Sequence, residues 1–545
     1  MPSISSQEDA QKVDSRASRR LIDGLRRRHE RRRRLFPRAL LVGIVAGLIA
    51  ALFRAALEAA EMGRSLVLYR LHPMGFPGLL LFAAICGTGV GLSVWLVQRF
   101  EPSASGSGIP QLKAVLHRLR AMAGIRLILV KFAGGVAAIG SGLALGREGP
   151  TIQMGGAVGR VVARWYPSST HERGILIAAG SGAGLAAAFN APLAGLVFVL
   201  EEIQKNFAPG VFSATFLACV TADAISRSLF SQSAILQTSP IAAPALASLP
   251  LFLVLGLAAG LLAVGFNRGL LRVVNAIGRA SARGRLAMAV GVGLAIGAVA
   301  WFAPTLAGGG TPLVESALSG RGLIEGLIIT LALRFVLTLA SYGTGAPGGI
   351  FAPLLVLGSQ GGLAAGLAVA AVWPSLGAEP RAWAVAGMAG LFAGTVRAPL
   401  TGIVLMLEMT ESYTLMLPLL ITSFAAQWVA ERSGDPPIYD SLLERELLRA
   451  GPAETSEGAV MLELDVHSGA PFAGQRIGEI GLPQGCLIVT IDRRGRHLVA
   501  TGDSVLRPGD RLQVLLAPEA IPAIGRLRSG LGVDGAHSPA VSSES

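Results

Sequence analysis

The stretch that decides the fold is Ala191-Pro-Leu-Ala-Gly-Leu-Val-Phe-Val-Leu-Glu201, because a second version of it occurs later in the chain. That version is Ala398-Pro-Leu-Thr-Gly-Ile-Val-Leu-Met-Leu-Glu408, which begins 207 residues further on and is identical at seven of eleven positions. A glycine-rich segment precedes each copy, Gly180-Ser-Gly-Ala-Gly-Leu185 and Gly387-Met-Ala-Gly-Leu391. Proline, glycine and glutamate keep their places, which favours an internal repeat over chance similarity between apolar helices. The chain is therefore predicted to contain two related halves.

The sequence around the repeat is too apolar for a soluble protein. Of the 545 residues, 52% are hydrophobic and only 15% are charged, whereas soluble domains carry about 25% charged residues. Residues 174–200, 286–314 and 335–378 contain no Asp, Glu, Lys or Arg, and about 20 apolar residues are enough to cross a bilayer. The chain is predicted to be an all-helical polytopic membrane protein and not an enzyme. Glycines within the apolar runs predict short, interrupted helices.

Two other classes of function are disfavoured. The arginine-rich run at residues 26–34 could indicate nucleic-acid binding, but it lies just before the first apolar stretch. There it is typical of a positive-inside anchor, which predicts a cytoplasmic N-terminus and no nucleic-acid partner. We also expect a cytoplasmic C-terminus and a multi-pass protein of the cell inner (plasma) membrane. Cys86, Cys219 and Cys486 are isolated and the seven histidines are scattered, so no metal, disulfide or cofactor is expected.

Three breaks rich in glycine and proline interrupt the apolar stretches: Gly106-Ser-Gly-Ile-Pro110, Gly146-Arg-Glu-Gly-Pro150 and Gly348-Gly-Ile-Phe-Ala-Pro353. Proline suits the first turn of a helix, so each break predicts a helix start. The unpaired N–H groups and the dipole of a helix N-terminus attract an anion, and glycine lets the backbone approach it closely. Interrupted segments in both halves indicate a site near the middle of the membrane. Plain turns between spans are the alternative.

Glu148 is the most informative single residue. An ionised carboxylate within an apolar span costs about 2.5–3.5 kcal/mol and is functional by default. Beside an anion pathway, a carboxylate can occupy the ion's place while it is charged and leave when it is protonated. A structural ion pair with Arg147 is the alternative interpretation.

These motifs resemble those of the CLC family of chloride channels and chloride/proton antiporters. The resemblance rests on the three breaks, on Glu201-Glu202 after the first copy of the repeat, and on Tyr439 after the last span. It implies a fold of tilted, broken helices in two inverted halves, at about residues 38–230 and 249–432. It also implies a homodimer in the lipid bilayer, with one pathway for chloride and protons in each subunit.

The resemblance assigns a role to each motif residue. Glu148 would be the external gating carboxylate that takes up a proton, and Glu202 the internal carboxylate that passes protons to the cytoplasm. The anion would be bound by the hydroxyl groups of two side chains and by backbone around the breaks, namely Ser107, Tyr439, Gly149, Ile350 and Phe351. The supporting residues would be Gly106, Gly108, Pro110, Lys131, Gly146, Arg147, Pro150, Gly349 and Pro353.

Two residue types favour an exchanger over a channel. Within the family, serine at the Ser107 position is associated with chloride, whereas proline favours nitrate. An acid at the Glu202 position is associated with exchangers. Chloride/proton exchange is therefore the expected function, with a passive voltage- or pH-gated chloride channel of the same fold as the alternative. A cation transporter is disfavoured, because cation filters use rings of carbonyls or acids.

Composition divides the chain into five regions. Residues 1–37 form a basic tail and residues 38–445 the membrane domain. Residues 446–456 form a linker, residues 457–518 contain short β-like runs separated by turns, and residues 519–545 are expected to be a flexible tail.

The fourth region resembles the small C-terminal subdomain of RCK-type regulators of potassium transport. The resemblance rests on Gly481-Leu-Pro-Gln-Gly-Cys-Leu-Ile-Val489 and Leu506-Arg-Pro-Gly-Asp510. It implies a small α/β cytoplasmic domain. An unknown regulatory ligand and a dimerising module without a ligand both remain open.

Overall fold

The computed structural model describes residues 4–117, 119–205, 207–230, 236, 241–376, 379–450, 460–493, 496–517, 520 and 524–532. These residues belong to two compact units. The larger unit is helical and is drawn from residues 1–112 and 123–441, and the smaller unit is drawn from residues 113–122 and 442–545.

The larger unit repeats one series of helices. The first series is α1 (Ile4–Leu71), α2 (Phe76–Phe100), α3 (Ile109–Leu116), α4 (Ile125–Gly140), α5 (Glu148–Trp165), α6 (Thr170–Phe189), α7 (Pro192–Phe198) and α8 (Pro209–Leu229). The second is α9 (Leu249–Gly278), α10 (Ala282–Phe302), α11 (Thr311–Leu318), α12 (Ile324–Gly343), α13 (Phe351–Val372), α14 (Pro380–Val396), α15 (Pro399–Thr410) and α16 (Met416–Arg432). Helix α17 (Ile438–Ala450) follows. The two series match in order, and each contains an eight-residue helix, α3 or α11, in third place.

Eight of the described helical segments are long and apolar enough to span a bilayer: Arg34–Met74, Phe76–Phe100, Pro209–Leu229, Leu246–Gly278, Ala282–Phe302, Ile324–Gly343, Phe351–Val372 and Tyr413–Arg432. This confirms the prediction of an all-helical polytopic membrane protein. The basic segment expected as a separate tail up to residue 37 is continuous with the first span, because α1 begins at Ile4 and runs through Pro37.

Glycine brings equivalent helices together in the two halves. Helix α5 contacts α6 at Gly155 and Gly180, and α13 contacts α14 at Gly358 and Gly387. A Cβ on any of these four glycines would clash with the backbone of the facing helix. Inside a bilayer the hydrophobic effect does not drive helices together, and close backbone packing of this kind holds them in contact instead.

The smaller unit contains an antiparallel sheet and a helix, which confirms the predicted small α/β domain. Its strands are β1 (Val460–Asp465), β2 (Cys486–Arg493), β3 (Arg496–Val499) and β4 (Arg511–Leu516), in the order β1-β4-β2-β3. Helix α18 (Ile524–Leu531) lies in the segment expected to be a flexible tail, and its Leu527 and Leu531 are buried in the core of this unit. Residues 451–456 of the expected linker and residues 533–545 lie outside the described residues.

One buried ion pair joins β2 to the turn before β4. Arg493 donates to both carboxylate oxygens of Asp510, at 2.8 and 2.7 Å, and the Arg507 N–H donates to the same carboxylate at 2.8 Å. Burial acts to raise the pKa of Asp510, but these donors and their positive charge outweigh it, so the pKa lies below its ordinary value. Asp510 is therefore held as a carboxylate in the folded unit.

Candidate functional site

Backbone hydrogen bonds bring the three breaks together. Gly146 and Gly349 each donate an N–H to the other's carbonyl, both at 2.8 Å. Gly348 donates to the Gly106 carbonyl at 3.0 Å, and Gly106 donates to the Gly345 carbonyl at 3.4 Å. Segments up to about 240 residues apart in the sequence therefore meet at one place within the helical unit.

Each break ends in a helix start, as the prolines predict. Helix α3 begins at Ile109, α5 at Glu148 and α13 at Phe351. Pro110 is the second residue of its helix, and Pro150 and Pro353 are each the third. Three helix N-termini, each with a partial positive charge, consequently face a common region.

Glycine is required where these helix ends meet. A Cβ on Gly149 would lie 2.9 Å from the Ser107 carbonyl oxygen and from the Gly349 Cα, which is closer than packed atoms allow. Gly106 and Gly108, on either side of Ser107, have φ angles of +60° and +84°. Only glycine adopts these angles without strain.

The Glu148 carboxylate lies at the N-terminus of α13. Its Oε1 accepts a hydrogen bond from the Ala352 N–H at 2.8 Å, and the side chain is completely buried. Its Oε2 has no hydrogen-bond partner among the described residues. Although Arg147 is adjacent in sequence, no ion pair within 4.0 Å joins the two side chains. The carboxylate therefore occupies a position in which a helix end would hold an anion.

Ser107 and Tyr439 are both buried beside this region. The Ser107 hydroxyl oxygen accepts from the Ile109 N–H and from the Tyr342 hydroxyl, each at 3.4 Å. The Tyr439 hydroxyl is buried and has no hydrogen-bond partner among the described residues. Its ring centroid lies 6.2 Å from that of Phe351. Sequence reasoning missed Tyr342, whose only signal is a hydroxyl group in an uncharged apolar run.

Lys131 holds the Ser107 loop by hydrogen bonds to its backbone carbonyls. Its Nζ donates to the carbonyl oxygens of Ala104 and Gly106, at 2.9 and 2.7 Å, and the side chain is fully buried. These bonds turn the loop carbonyls toward the lysine. The positive charge thus raises the local potential and fixes the loop.

Glu202 lies on a different element from the three helix N-termini. It belongs to a five-residue π-helical turn, Val199–Ile203, that follows α7, and only 1% of its surface is exposed. Turns of this type are rare and occur frequently at functional sites.

Glu201 and its repeat counterpart Glu408 each bind the N-terminus of a helix in the opposite half. Glu201 accepts from the N–H groups of Leu400 and Thr401 at the start of α15, at 3.0 and 2.7 Å. Glu408 accepts from the first N–H groups of α7, those of Leu193 and Ala194, also at 3.0 and 2.7 Å. The sequence shows that the two glutamates are equivalent, but not that each closes the other's helix.

A cavity beside Glu148 has about 80 Å³ of space for water-sized molecules. Two further carboxylates, Glu58 and Glu61, line it together with the Arg147 side chain. Glu148 lines the same cavity, so this acidic residue lies next to a space that is large enough for water.

Converging helix N-termini and a buried carboxylate inside a polytopic helical protein define a membrane transport protein for small anions. A profile of the family described as "Voltage gated chloride channel" matches residues 89–431. The chain therefore belongs to the voltage-gated chloride channel, or CLC, family. A second profile, described as "TrkA-C domain", matches residues 461–528, which bears out the RCK-type resemblance of the C-terminal region.

Relatives of known activity are similar over most of the chain. The H(+)/Cl(-) exchange transporter ClcA of Vibrio campbellii is 41% identical over 416 residues, which covers 75% of this chain and 89% of that protein. ClcA of Yersinia pestis is 37% identical over 427 residues, covering 77% and 89%. The crystal structure of a slow cyanobacterial Cl−/H+ antiporter superposes with a TM-score of 0.74 at 39% identity, covering 76% of this chain and 99% of that one.

Proposed function

We propose that this protein is a secondary active transporter that exchanges chloride for protons across the membrane. The observation that carries the proposal is the Glu148 carboxylate at the N-terminus of α13, where it accepts the Ala352 N–H. One group then competes with the anion and also binds the proton. The ClcA relatives and the cyanobacterial antiporter support exchange over passive conduction.

The coupling follows from the charge of Glu148. While it is ionised, the carboxylate is attracted to the partial positive charge of the helix end and blocks it. Protonation removes that attraction, so the side chain leaves and a chloride ion takes its place. The reverse exchange expels the chloride and requires the proton to leave. Movement of either ion is thereby tied to movement of the other.

The anion ligands are a few neutral donors. Chloride is bound by the hydroxyl groups of Ser107 and Tyr439, by the N–H groups of Ile350 and Phe351, and by the backbone at Gly149. The Tyr439 hydroxyl has no described partner, which supports this role. Neutral donors suit an ion that must also leave, because fixed cations would hold it too firmly. Lys131 and Arg147 supply positive potential without replacing these ligands.

Glu202 transfers the proton on the other side of the anion site. Its burial in a π-helical turn supports this role, because an ionisable group at that depth is costly unless it functions. Protons pass between Glu202 and Glu148 along a transient chain of water molecules. Glu148 and Glu202 lie on separate elements, so either residue can be substituted without altering the other.

The test is paired measurement of both ions in reconstituted vesicles. A chloride gradient is imposed with no initial pH difference, and chloride and proton fluxes are recorded together. Chloride moving down its gradient should drive protons uphill in the opposite direction. If chloride moves while the pH inside stays constant, the protein is a passive chloride channel of the same fold.

We also propose that the protein is a homodimer with a pathway in each subunit, inserted in the cell inner membrane with both termini cytoplasmic. Large apolar side chains on α7, α8, α15 and α16 are exposed and support a partner surface, among them Leu193, Phe216, Leu400 and Trp428. Subunit counting by single-molecule photobleaching in bilayers tests the dimer. A single bleaching step in nearly all particles would contradict it.

The C-terminal unit is proposed to bind a regulatory ligand. Its match to the TrkA-C domain supports a regulatory rather than a transporting role. Calorimetric titration of the full chain in detergent with nucleotides and divalent ions tests this, with a chain that ends at residue 450 as the control. Heat released by the full chain alone would support a ligand, and a flat result would favour a module that only dimerises or stabilises.

A further inference from the structure

The segment before α11 repeats the segment before α3. Glu101-Pro-Ser-Ala-Ser-Gly-Ser-Gly-Ile-Pro110 corresponds to Ala303-Pro-Thr-Leu-Ala-Gly-Gly-Gly-Thr-Pro312. In both segments a three-residue 3₁₀ turn leads into a glycine loop and then into a helix of eight residues. The second segment belongs to the half of the chain that does not contribute Ser107.

The two loops have the same backbone conformation. Gly106 and Gly108 have φ angles of +60° and +84°, and Gly308 and Gly310 have φ angles of +75° and +85°. Gly309 consequently takes the position that Ser107 takes in the first loop. The second loop is a version of the anion-binding loop that lacks only the hydroxyl group.

A buried cation supports each loop in the same way. As Lys131 does for the first loop, Arg334 donates to the second, with bonds to the carbonyls of Leu306 and Gly308 at 2.9 Å each and to that of Gly309 at 3.3 Å. Arg334 is completely buried, and its Nε has no partner among the described residues. The loop carbonyls face the guanidinium, and the Gly308 N–H donates to the Gly142 carbonyl at 2.8 Å, which leaves the N–H groups of Gly309, Gly310 and Thr311.

Those N–H groups lie beside the cavity that reaches Glu148. Among the described residues, no backbone hydrogen bond uses the N–H of Gly309, Gly310 or Thr311. Gly309 and Thr311 line the cavity. A Cβ on Gly309 would meet only the Leu145 carbonyl oxygen, at 3.8 Å, so this face of the loop is open.

Charged side chains of both signs surround the loop. Arg147 lines the cavity, and Arg334 lies under the loop. The Glu61 carboxylate and the Arg64 guanidinium lie 3.1 and 3.4 Å from the position that a Cβ on Gly308 would take. Two carboxylates on α1 oppose these cations. Glu58 is neutralised by an ion pair with Arg54 at 2.8 Å, which leaves Glu61.

The orphaned oxygen of Glu148 is the independent sign that this cavity holds a ligand or water. Glu148 lines the cavity, and its Oε2 is fully buried and has no partner among the described residues. A buried charged oxygen without a partner is costly unless something in the cavity satisfies it.

We propose that the N-terminus of α11 is a second anion site, where chloride is held by the N–H groups of residues 309–311 and the charge of Arg147 before it reaches Glu148. The inference rests on the proposed transport of chloride. Without a serine or tyrosine hydroxyl the site binds more weakly than the Ser107 site. Weak binding suits a site that collects ions from water and passes them on.

Bromide is the direct probe, because it replaces chloride and scatters X-rays anomalously. Crystals of the full chain in bromide should give one anomalous peak near Ser107 and another at the α11 loop. A peak near Ser107 alone would overturn the second site and leave the transport proposal intact. No peak at either place would contradict the anion pathway itself together with the second site.

Substitutions of Gly309 test the site in transport. Gly309→Val would fill the anion's position and should raise, about fivefold, the chloride concentration that gives half-maximal flux. Gly309→Ser would add the missing hydroxyl and should lower that concentration by a similar factor. Both effects are expected only when chloride is presented on the cavity side of uniformly oriented protein.

Gly326→Val is the matched control, because Gly326 also has open space around it but does not line the cavity. It should leave the chloride dependence unchanged on both sides. If serine and valine at residue 309 have the same effect, or if each acts equally from both sides, the loop has only a structural role and the second site is wrong.

Discussion

The Oε1 atom of Glu148 lies 2.8 Å from the backbone nitrogen of Ala352, a residue 204 positions later in the chain. The carboxylate of one half therefore closes a helix of the other half. Under the proposed mechanism this side chain acts as a tethered anion, and its protonation state determines whether the helix end is available to an ion from solution.

Replacement of Glu148 should separate chloride flux from pH. Glu148→Ala leaves the end of α13 open at every pH, so chloride flux should be equal at about pH 4.5 and about pH 7.5. The unmodified protein should be faster at the lower pH, where the carboxyl is more often protonated. Chloride efflux from vesicles measures both. A Glu148→Ala protein whose flux still rises on acidification would contradict the assignment.

Replacement of Glu202 should abolish proton transport and preserve chloride transport. Glu202→Gln cannot release a proton at physiological pH, so uphill proton transport should disappear while chloride flux stays within about twofold of normal. Paired chloride and pH recordings give the ratio directly. Glu325→Gln, at an exposed position in the first turn of α12, is the control and should keep the ratio unchanged. Equal loss of both ions in Glu202→Gln would contradict a proton-specific role.

The residue between Gly106 and Gly108 should set the choice of anion. Ser107→Pro removes the hydroxyl that we propose donates to chloride, and the family resemblance implies that proline at this position favours nitrate. Nitrate flux relative to chloride flux should rise several-fold. Ion-specific electrodes measure each flux in the same vesicles. An unchanged ratio would show that the Ser107 hydroxyl does not select the anion.

The hydrogen bonds of Glu201 and Glu408 to the helix N-termini of the opposite halves should contribute to stability and not to the coupling of chloride and proton transport. Glu201→Gln and Glu408→Gln each weaken charge-assisted bonds to two N–H groups and should each cost about 1.5–3 kcal/mol. Thermal unfolding in detergent should show a lower Tm for both proteins, by roughly 2–4 °C per kcal/mol. The chloride-to-proton ratio should be unchanged. A change of this ratio with no change in Tm would refute the structural role.

The Arg493–Asp510 pair should stabilise the smaller unit in a pH-dependent way. The pKa of Asp510 is lower in the folded unit than in the unfolded chain. Its contribution is therefore complete above the ordinary value of about 4 and is lost as the pH falls through the lowered pKa. Asp510→Asn should cost about 2 kcal/mol near neutral pH and much less in acid.

Proteolysis of residues 460–532 within the full chain checks this prediction. Trypsin near neutral pH should cleave the Asp510→Asn protein faster than the unmodified protein. Pepsin at about pH 3 should cleave the two at more similar rates. An equal difference at both pH values would show that the titration of Asp510 is not responsible.

The sequence predicted features whose signals are local. Prolines at the breaks marked the starts of α3, α5 and α13, and runs without charge marked the spans. The repeat around Glu201 and Glu408 was visible because seven of its eleven residues are identical. The carboxylate of Glu148 within an apolar span marked that residue as functional, and the family resemblance then assigned a role to Ser107.

Features that depend on distant contacts were not predictable. Neither the capping of α15 by Glu201 nor the contact of Tyr342 with Ser107 has a sequence signal, because each joins residues about 200 or more positions apart. The second glycine loop was not predicted from the sequence, because it shares only its two prolines and two of its glycines with the first loop. Its relation to the first loop becomes visible only through φ angles and the buried cations Lys131 and Arg334.

The crossed hydrogen bonds of Glu201 and Glu408 have a consequence for biogenesis. The start of α7 is synthesised some two hundred residues before Glu408, the glutamate that accepts its first N–H groups. These groups therefore lack this hydrogen-bond partner while they are in the bilayer or the translocon. Assembly therefore has a final step that cannot begin until the ribosome has passed residue 408. Until then the newly made first half is incompletely folded and is a substrate for quality-control proteases. Two halves expressed as separate chains would have to associate before either could fold completely.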